Sequence, residues 1–292
     1  VVVALAGYHY GAPLSLHQQS VVAHAAFAMV LVAIACFLTG ALSGNYSQVD
    51  KLWSLLPVLY TWYFAVQAHG QPRLMLMAAL VTLWGVRLTH NFARKGAYSW
   101  KPWSGEEDYR WAELRKDPVL GKPWTWMVFN LLFICFYQNS LILAFTLPSV
   151  AASESGGNPG VIDYLLAAAF LLFLAIEWMA DEQHWRFHRE KKRRMRAGLP
   201  LDGDFANGFL ASGLWSRVRH PNYAAEQALW IVFYGFSVSA TGQWINWSIA
   251  GSLLLVLLFQ GSSVFSERIS AGKYPLYVAY QQRVPRFVPR LW

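Results

Sequence analysis

Seven stretches of this chain, near residues 21–42, 52–69, 73–90, 124–147, 161–180, 222–240 and 244–265, are predominantly apolar. Each approaches the roughly 20 residues that a helix needs to cross a bilayer. Lipid offers a backbone no hydrogen-bonding partner, so runs of this kind fold as helices that satisfy their own N–H and C=O groups. The expected fold class is therefore all-α: a polytopic membrane protein of about seven transmembrane helices, forming one integral-membrane domain over residues 1–292. Composition points the same way. The chain is 55% hydrophobic and only 14% charged, against about a quarter charged in an average soluble domain. Cys36 and Cys135 both fall inside apolar spans and read as core filler.

The basic residues set the orientation. Of 24 lysines and arginines, all but Arg73 lie at Lys51, in residues 87–122, in residues 186–219 or from Arg268 onward. In a seven-span path those segments share one face. The positive-inside rule makes that face cytosolic, or matrix or stromal in an organelle, with the C-terminus on it and the N-terminus opposite. The net charge of +8 then faces anionic lipid headgroups or an anionic ligand. Membrane lipids are expected partners, and nucleic acid is not.

The stretch SRVRHPNYAAEQALW, residues 216–230, concentrates chemistry at the mouth of the sixth span. Pro221 suits the first turn of a helix, whose N-terminus attracts anions. Arg217 and Arg219 add guanidinium forks that match phosphate oxygens. The segment reads either as a phosphate clamp or as a stop-transfer anchor whose arginines touch headgroups. Helical spacing then puts Tyr223, Glu226, Gln227, Trp230 and Tyr234 on one side. A carboxylate at this depth needs a wet cavity or a partner such as an arginine.

Two further polar faces flank it. In EWMADEQHWRFHREKKRR, Glu177, Asp181, His184 and His188 stack along one helix face. With no HExxH pattern and no cysteine ligands, no metal site is assigned there, and Lys191–Arg194 reads as a solvated charge run. At the end of the seventh span, Gln260, Ser263 and Glu267 share a face, followed by Tyr277 and Tyr280. That segment is an interfacial helix or the lid of a cavity.

Taken in order, Glu177, Asp181, Gln183 and Phe187, then GLWSRVRHPNY (213–223), Glu226 and the distal Glu267, Tyr277 and Tyr280 resemble the DUF1295 family. So do VDKLWSLLP (49–57), LWGVRL (83–88), EDYRW (107–111) and NLLFICFYQ (130–138). The family belongs with the steroid 5-alpha-reductase C-terminal domain and is distantly related to isoprenylcysteine carboxyl methyltransferases. The resemblance implies a steroid 5-alpha-reductase-like helical fold around an NADPH cavity built from about residues 177–289. It implies a cofactor shell of Asp181, Arg217, Arg219, His220, Asn222, Tyr223, Glu226, Glu267 and Tyr277.

Two departures from the pattern stand out. Ala225 stands where the family motif has glycine, and where steroid reductases place the Glu and Tyr that polarise an enone, the second span offers Leu55-Leu56-Pro57 and the third has Trp84. The leading expectation is an NADPH-dependent reductase of a lipidic conjugated C=C–C=O substrate. Tyr60, Tyr63 and Tyr137 are then the candidate catalytic donors to the developing enolate. The alternatives are an S-adenosylmethionine-dependent membrane methyltransferase and a non-catalytic subunit bound to other membrane subunits in a larger complex.

Overall fold

A computed structural model describes residues 14–155 and 157–290, and all regular structure among these residues is helical. The helices are α1 (Leu16–Ser43), α2 (Gln48–Leu52), α3 (Leu56–Gln67), α4 (Pro72–Ala93), α5 (Tyr109–Leu114) and α6 (Pro123–Phe129). A π-helical segment, Asn130–Tyr137, runs directly into α7 (Gln138–Thr146), followed by α8 (Pro148–Ala152). Then come α9 (Val161–Arg196), α10 (Gly203–Asn207), α11 (Pro221–Thr241), α12 (Ile249–Lys273) and α13 (Tyr277–Arg283).

Local chemistry sets these boundaries. At the start of α1 the Ser15 hydroxyl accepts from the Gln18 N–H at 3.2 Å, and the Gln18 side chain accepts from the Ser15 N–H at 3.1 Å, a reciprocal capping box. At its end Gly44 takes a left-handed φ of 70° and returns its N–H to the Gly40 carbonyl, the usual glycine stop.

Four stretches are long and apolar enough to cross a membrane: α1, Pro123–Ser155, α9 and α12. Their outer faces expose leucines such as Leu31, Leu38, Leu132, Leu165 and Leu257, as lipid contact demands. The expected second span is shorter than its apolar run. Its helix, α3, has 12 residues, about 18 Å at 1.5 Å per residue. Pro57, in the first turn of α3, fixes where that helix begins.

The segment after α7 begins as buried helix α8. The Gln18 amide donates to the Val150 carbonyl at 2.9 Å, and the Gln71 amide donates to the Ser153 carbonyl at 2.9 Å, pinning the segment. The last span starts at Ile249, not 244. Asn246 and Ser248 are tied to Ser237 and the Tyr234 hydroxyl by hydrogen bonds of 3.0–3.4 Å, which hold this stretch out of the helix.

The chain divides into two compact units. The first holds the described residues up to Ala168 together with Val232–Leu255. Its core includes Phe64, Met77, Trp84, Ile134 and Phe145, with a buried Arg73–Asp163 ion pair at 3.1 Å. The second holds Ala169–Ile231 and the residues from Val256. Phe170, Ala180, Phe187 and Trp230 are buried within it.

Candidate functional site

All nine residues of the expected cofactor shell lie in the second unit, and Glu267 on α12 is its centre. The Arg219 guanidinium donates to both oxygens of this carboxylate, from Nε at 2.7 Å and from Nη2 at 3.2 Å. His220 Nε2 lies 2.9 Å from one oxygen, and Gln281 Nε2 donates to the other at 3.0 Å. Arg286 Nη2 stands 3.6 Å away. One carboxylate thus faces two guanidiniums and an imidazole, which leaves the cluster with surplus positive charge.

The backbone explains how these groups meet. The N–H of Arg219 donates to the Pro285 carbonyl at 2.9 Å, and that of His220 to the Arg286 carbonyl at 3.1 Å. Arg219 Nη1 adds bonds to the carbonyls of Gln281 and Val284. Residues 219–220, just before α11, therefore pair with residues 285–286 of the C-terminal tail. Arg217 instead directly follows a short 3-10 turn, Gly213–Ser216.

The pairing with the tail separates the two arginines, because it begins at Arg219 and leaves Arg217 outside it. Arg219 is buried and committed to Glu267, whereas Arg217 is exposed. The R-x-R pair does not form one two-pronged fork. Arg219 is a structural latch, and the cations left facing outward are Arg217 and the partly exposed Arg286, whose buried Nε has no partner among the described residues.

Behind this rim, Pro221 opens α11 and Asn222 Nδ2 donates to Asp181 Oδ1 at 3.2 Å. The His220 and Tyr223 rings stack at 5.3 Å, and Tyr223 meets Phe259 at 4.8 Å. Glu226, Gln227 and Trp230 all face inward. Glu226 is 4% exposed and accepts from Trp230 Nε1 at 3.0 Å. Ala225 is buried too.

The Gly213–Ser216 turn is docked onto α9. Gln183 Oε1 accepts from the Leu214 N–H at 3.0 Å, and Trp215 Nε1 donates to the Ala180 carbonyl at 3.3 Å. Gly213 has φ of 63°, a left-handed conformation that glycine adopts without strain. His184 stacks on Trp215 at 5.1 Å, and its Nε2 lies 3.1 Å from that of His188. Among the described residues no three His, Cys, Asp or Glu side chains converge as metal ligands.

Tyr277 packs edge-on to Phe209 at 5.0 Å, beside Tyr280. The Tyr280 hydroxyl donates to the Trp215 carbonyl, and burial pushes this phenol well above its ordinary pKa. Gln281 and Arg286 were missed by sequence reading, because nothing in the spacing of the tail announces that it folds back onto Glu267.

The three candidate donors belong to the first unit. Tyr60 is buried, and its hydroxyl has no partner among the described residues. Tyr63 and Tyr137 are half-buried and pack on Phe64 and Phe133.

Helices of membrane-spanning length and an acid-centred cationic cluster define an all-helical integral membrane protein with a polar site in its second unit. The chain belongs to the family described as "Protein of unknown function (DUF1295)", whose profile matches residues 36–284. It is similar to an uncharacterised protein of Schizosaccharomyces pombe, 36% identical over 260 residues that cover 85% of this chain and 73% of the relative. No solved structure matches it.

Proposed function

We propose that this protein is an NADPH-dependent membrane reductase acting on a lipidic, conjugated C=C–C=O substrate. The observation that carries the reading is the surplus of positive charge around Glu267. A single buried carboxylate faces Arg219, Arg286 and His220, with Arg217 exposed nearby in sequence and the N-terminus of α11 adjoining. Such a rim suits the phosphates of a dinucleotide. The stacked His220 and Tyr223 rings and the Tyr277 ring supply flat surfaces for its bases.

Further residues take roles on this reading. Arg219 and Glu267 hold the rim rigid. Asn222 and Asp181 offer amide and carboxylate contacts to a ribose, and inward Glu226 borders the deeper part. The bound cofactor supplies a hydride. Tyr60, whose buried hydroxyl is unpaired among the described residues, is the favoured donor to the oxygen on which enolate charge builds. Tyr63 and Tyr137 are secondary candidates.

The same reading carries seven crossings, a steroid 5-alpha-reductase-like arrangement, basic segments on the cytosolic, matrix or stromal side, and substrate entry from lipid. It is tested by thermal unfolding of the purified protein with NADPH, NADH or S-adenosylmethionine. The reductase reading expects the largest rise with NADPH. A rise with S-adenosylmethionine alone supports the methyltransferase, and no rise with any of them, in protein recovered within a stoichiometric complex, supports the accessory subunit.

A further inference from the structure

One stripe of the first unit carries polar groups for which the site above has no use. Trp126 lies on α6, Asn130 and Cys135 on the π-helical segment, and Asn139 on α7. In an α-helix, residues five apart point in different directions. The i→i+5 bonding of a π-helix stacks them instead, which brings Cys135 into line over Asn130. The α-helical steps from 126 to 130 and from 135 to 139 extend the line in both directions. The contacts agree: Cys135 Sγ lies 3.5 Å from Asn130 Oδ1, and the Asn139 amide donates to the Cys135 carbonyl at 2.7 Å.

Three atoms on this stripe are buried without a partner among the described residues: Trp126 Nε1, Asn130 Nδ2 and Asn139 Oδ1. Their residues are 4%, 1% and 0% exposed. Orphaned buried donors and acceptors are rare in folded proteins, and an unseen water is a common explanation. Here donors and an acceptor recur along several turns of one helix. A lipid headgroup meets converging partners, whereas spaced partners along a stripe suit a file of water molecules, each needing two to four polar contacts.

The stripe leads toward the basic loops. Helix α1, which carries Cys36, packs on the π-helical segment and on α7. Trp111 and Trp126 both pack against the Phe129 ring, at 6.4 and 5.6 Å between centroids. Asp50 is partly exposed and accepts from Trp111 Nε1 at 3.0 Å, while Ser47 accepts from the same N–H at 3.1 Å. VDKLWSLLP, EDYRW and NLLFICFYQ, far apart in the chain, thus contribute Asp50, Trp111, Asn130 and Cys135 to one polar seam.

We propose that this seam holds a file of bound water running from Asp50 to Asn139, and that it delivers solvent protons into the membrane-spanning part of the first unit. The hydration stands apart from the nucleotide reading; only its use rests on that reading. Reducing a C=C bond moves one hydride from the reduced nicotinamide to the β-carbon, leaving the nicotinamide oxidised. One proton must then be added at the α-carbon, and the seam supplies it from water.

The two native thiols report on the seam directly. Both cysteines are free and buried, so their S–H infrared bands, assigned with Cys36→Ser and Cys135→Ser, measure contact with water. Wild-type protein in phosphatidylcholine nanodiscs is transferred to D2O. The seam predicts that both bands convert to S–D within minutes, and that Asn139→Leu slows the Cys135 band by at least an order of magnitude. Bands that persist for hours in the wild type overturn the proposal. Slow exchange in nanodiscs but fast exchange in lipid-free detergent means that a lipid group fills the seam, which also overturns it. The wild-type comparison stands even if Asn139→Leu fails to fold, and no nucleotide enters the measurement.

Discussion

Arg219 grips Glu267 through both carboxylate oxygens, at 2.7 and 3.2 Å, across 48 residues of sequence, with the two residues 8% and 3% exposed. Removing one member of a buried pair leaves the other charge uncompensated, at a cost of about 3–5 kcal/mol. Glu267→Ala is therefore expected to lower the unfolding midpoint sharply in mild detergent. The double variant Arg219→Met with Glu267→Ala should lose less than the sum of the single losses. Additive losses would mean that the two side chains do not act as a unit.

Arg217 gives the opposite pattern. It is exposed, so Arg217→Gln should change stability by no more than about 0.5 kcal/mol. Its expected effect is on ligand affinity. Losing one charge-assisted phosphate contact weakens NADPH binding by about tenfold or more, equivalent to about 1.4 kcal/mol. A titration of the variant against NADPH reads this directly.

Asp50 and Asp108 should respond to pH with opposite signs. Burial, and then the neighbouring Asp108, push the Asp50 carboxyl above its ordinary range. Between the unfolded and folded values the folded protein holds more protons, so stability falls as pH rises through that window. Asp50→Asn keeps an acceptor for Trp111 and should raise the midpoint at neutral pH, the gain vanishing below pH about 4. For Asp108, burial raises the carboxyl, but Arg110 outweighs it through charge and hydrogen bonds and holds it below the ordinary value. Its stabilisation is present at neutral pH and lost as pH falls through the folded value. Asp108→Asn should therefore cost stability at neutral pH and little in acid. Midpoints recorded across a pH series separate the two.

Gly251 tests the packing of the first unit. A Cβ at this position of α12 would stand 2.2 Å from the Ala144 carbonyl carbon and oxygen. Backbone cannot swing aside as a side chain can. Gly251→Ala should destabilise by at least the roughly 1–3 kcal/mol typical of overpacking, whereas Gly261→Ala, with open space around it, should be neutral or slightly stabilising. Equal midpoints for the two variants would show that α12 does not pack as described.

The sequence announced the elements whose cause is local. Periodicity alone placed Glu226, Gln227 and Trp230 on an inward face of α11, and hydropathy located the four long apolar helices. What escaped it depends on distant partners. The split between Arg217 and Arg219 arises because residues 219–220 pair with 285–286, a contact encoded in neither segment. Arg286 and Gln281 reach Glu267 only through that return of the tail. The π-helical stretch 130–137 is invisible to a period-3.6 reading, which assigns Asn130 and Cys135 to different faces. The shortness of α3 reflects Pro57, which sits inside an apolar run of apparently adequate length.

Direct titration of the detergent-purified protein with NADPH, competed by NADH and S-adenosylmethionine, tests the central claim most plainly. The reading predicts saturable binding of NADPH, weakened by Arg217→Gln, with NADH weaker because it lacks the 2′-phosphate. Saturable binding of S-adenosylmethionine with none of NADPH, or NADPH binding indifferent both to the 2′-phosphate and to Arg217, would contradict it.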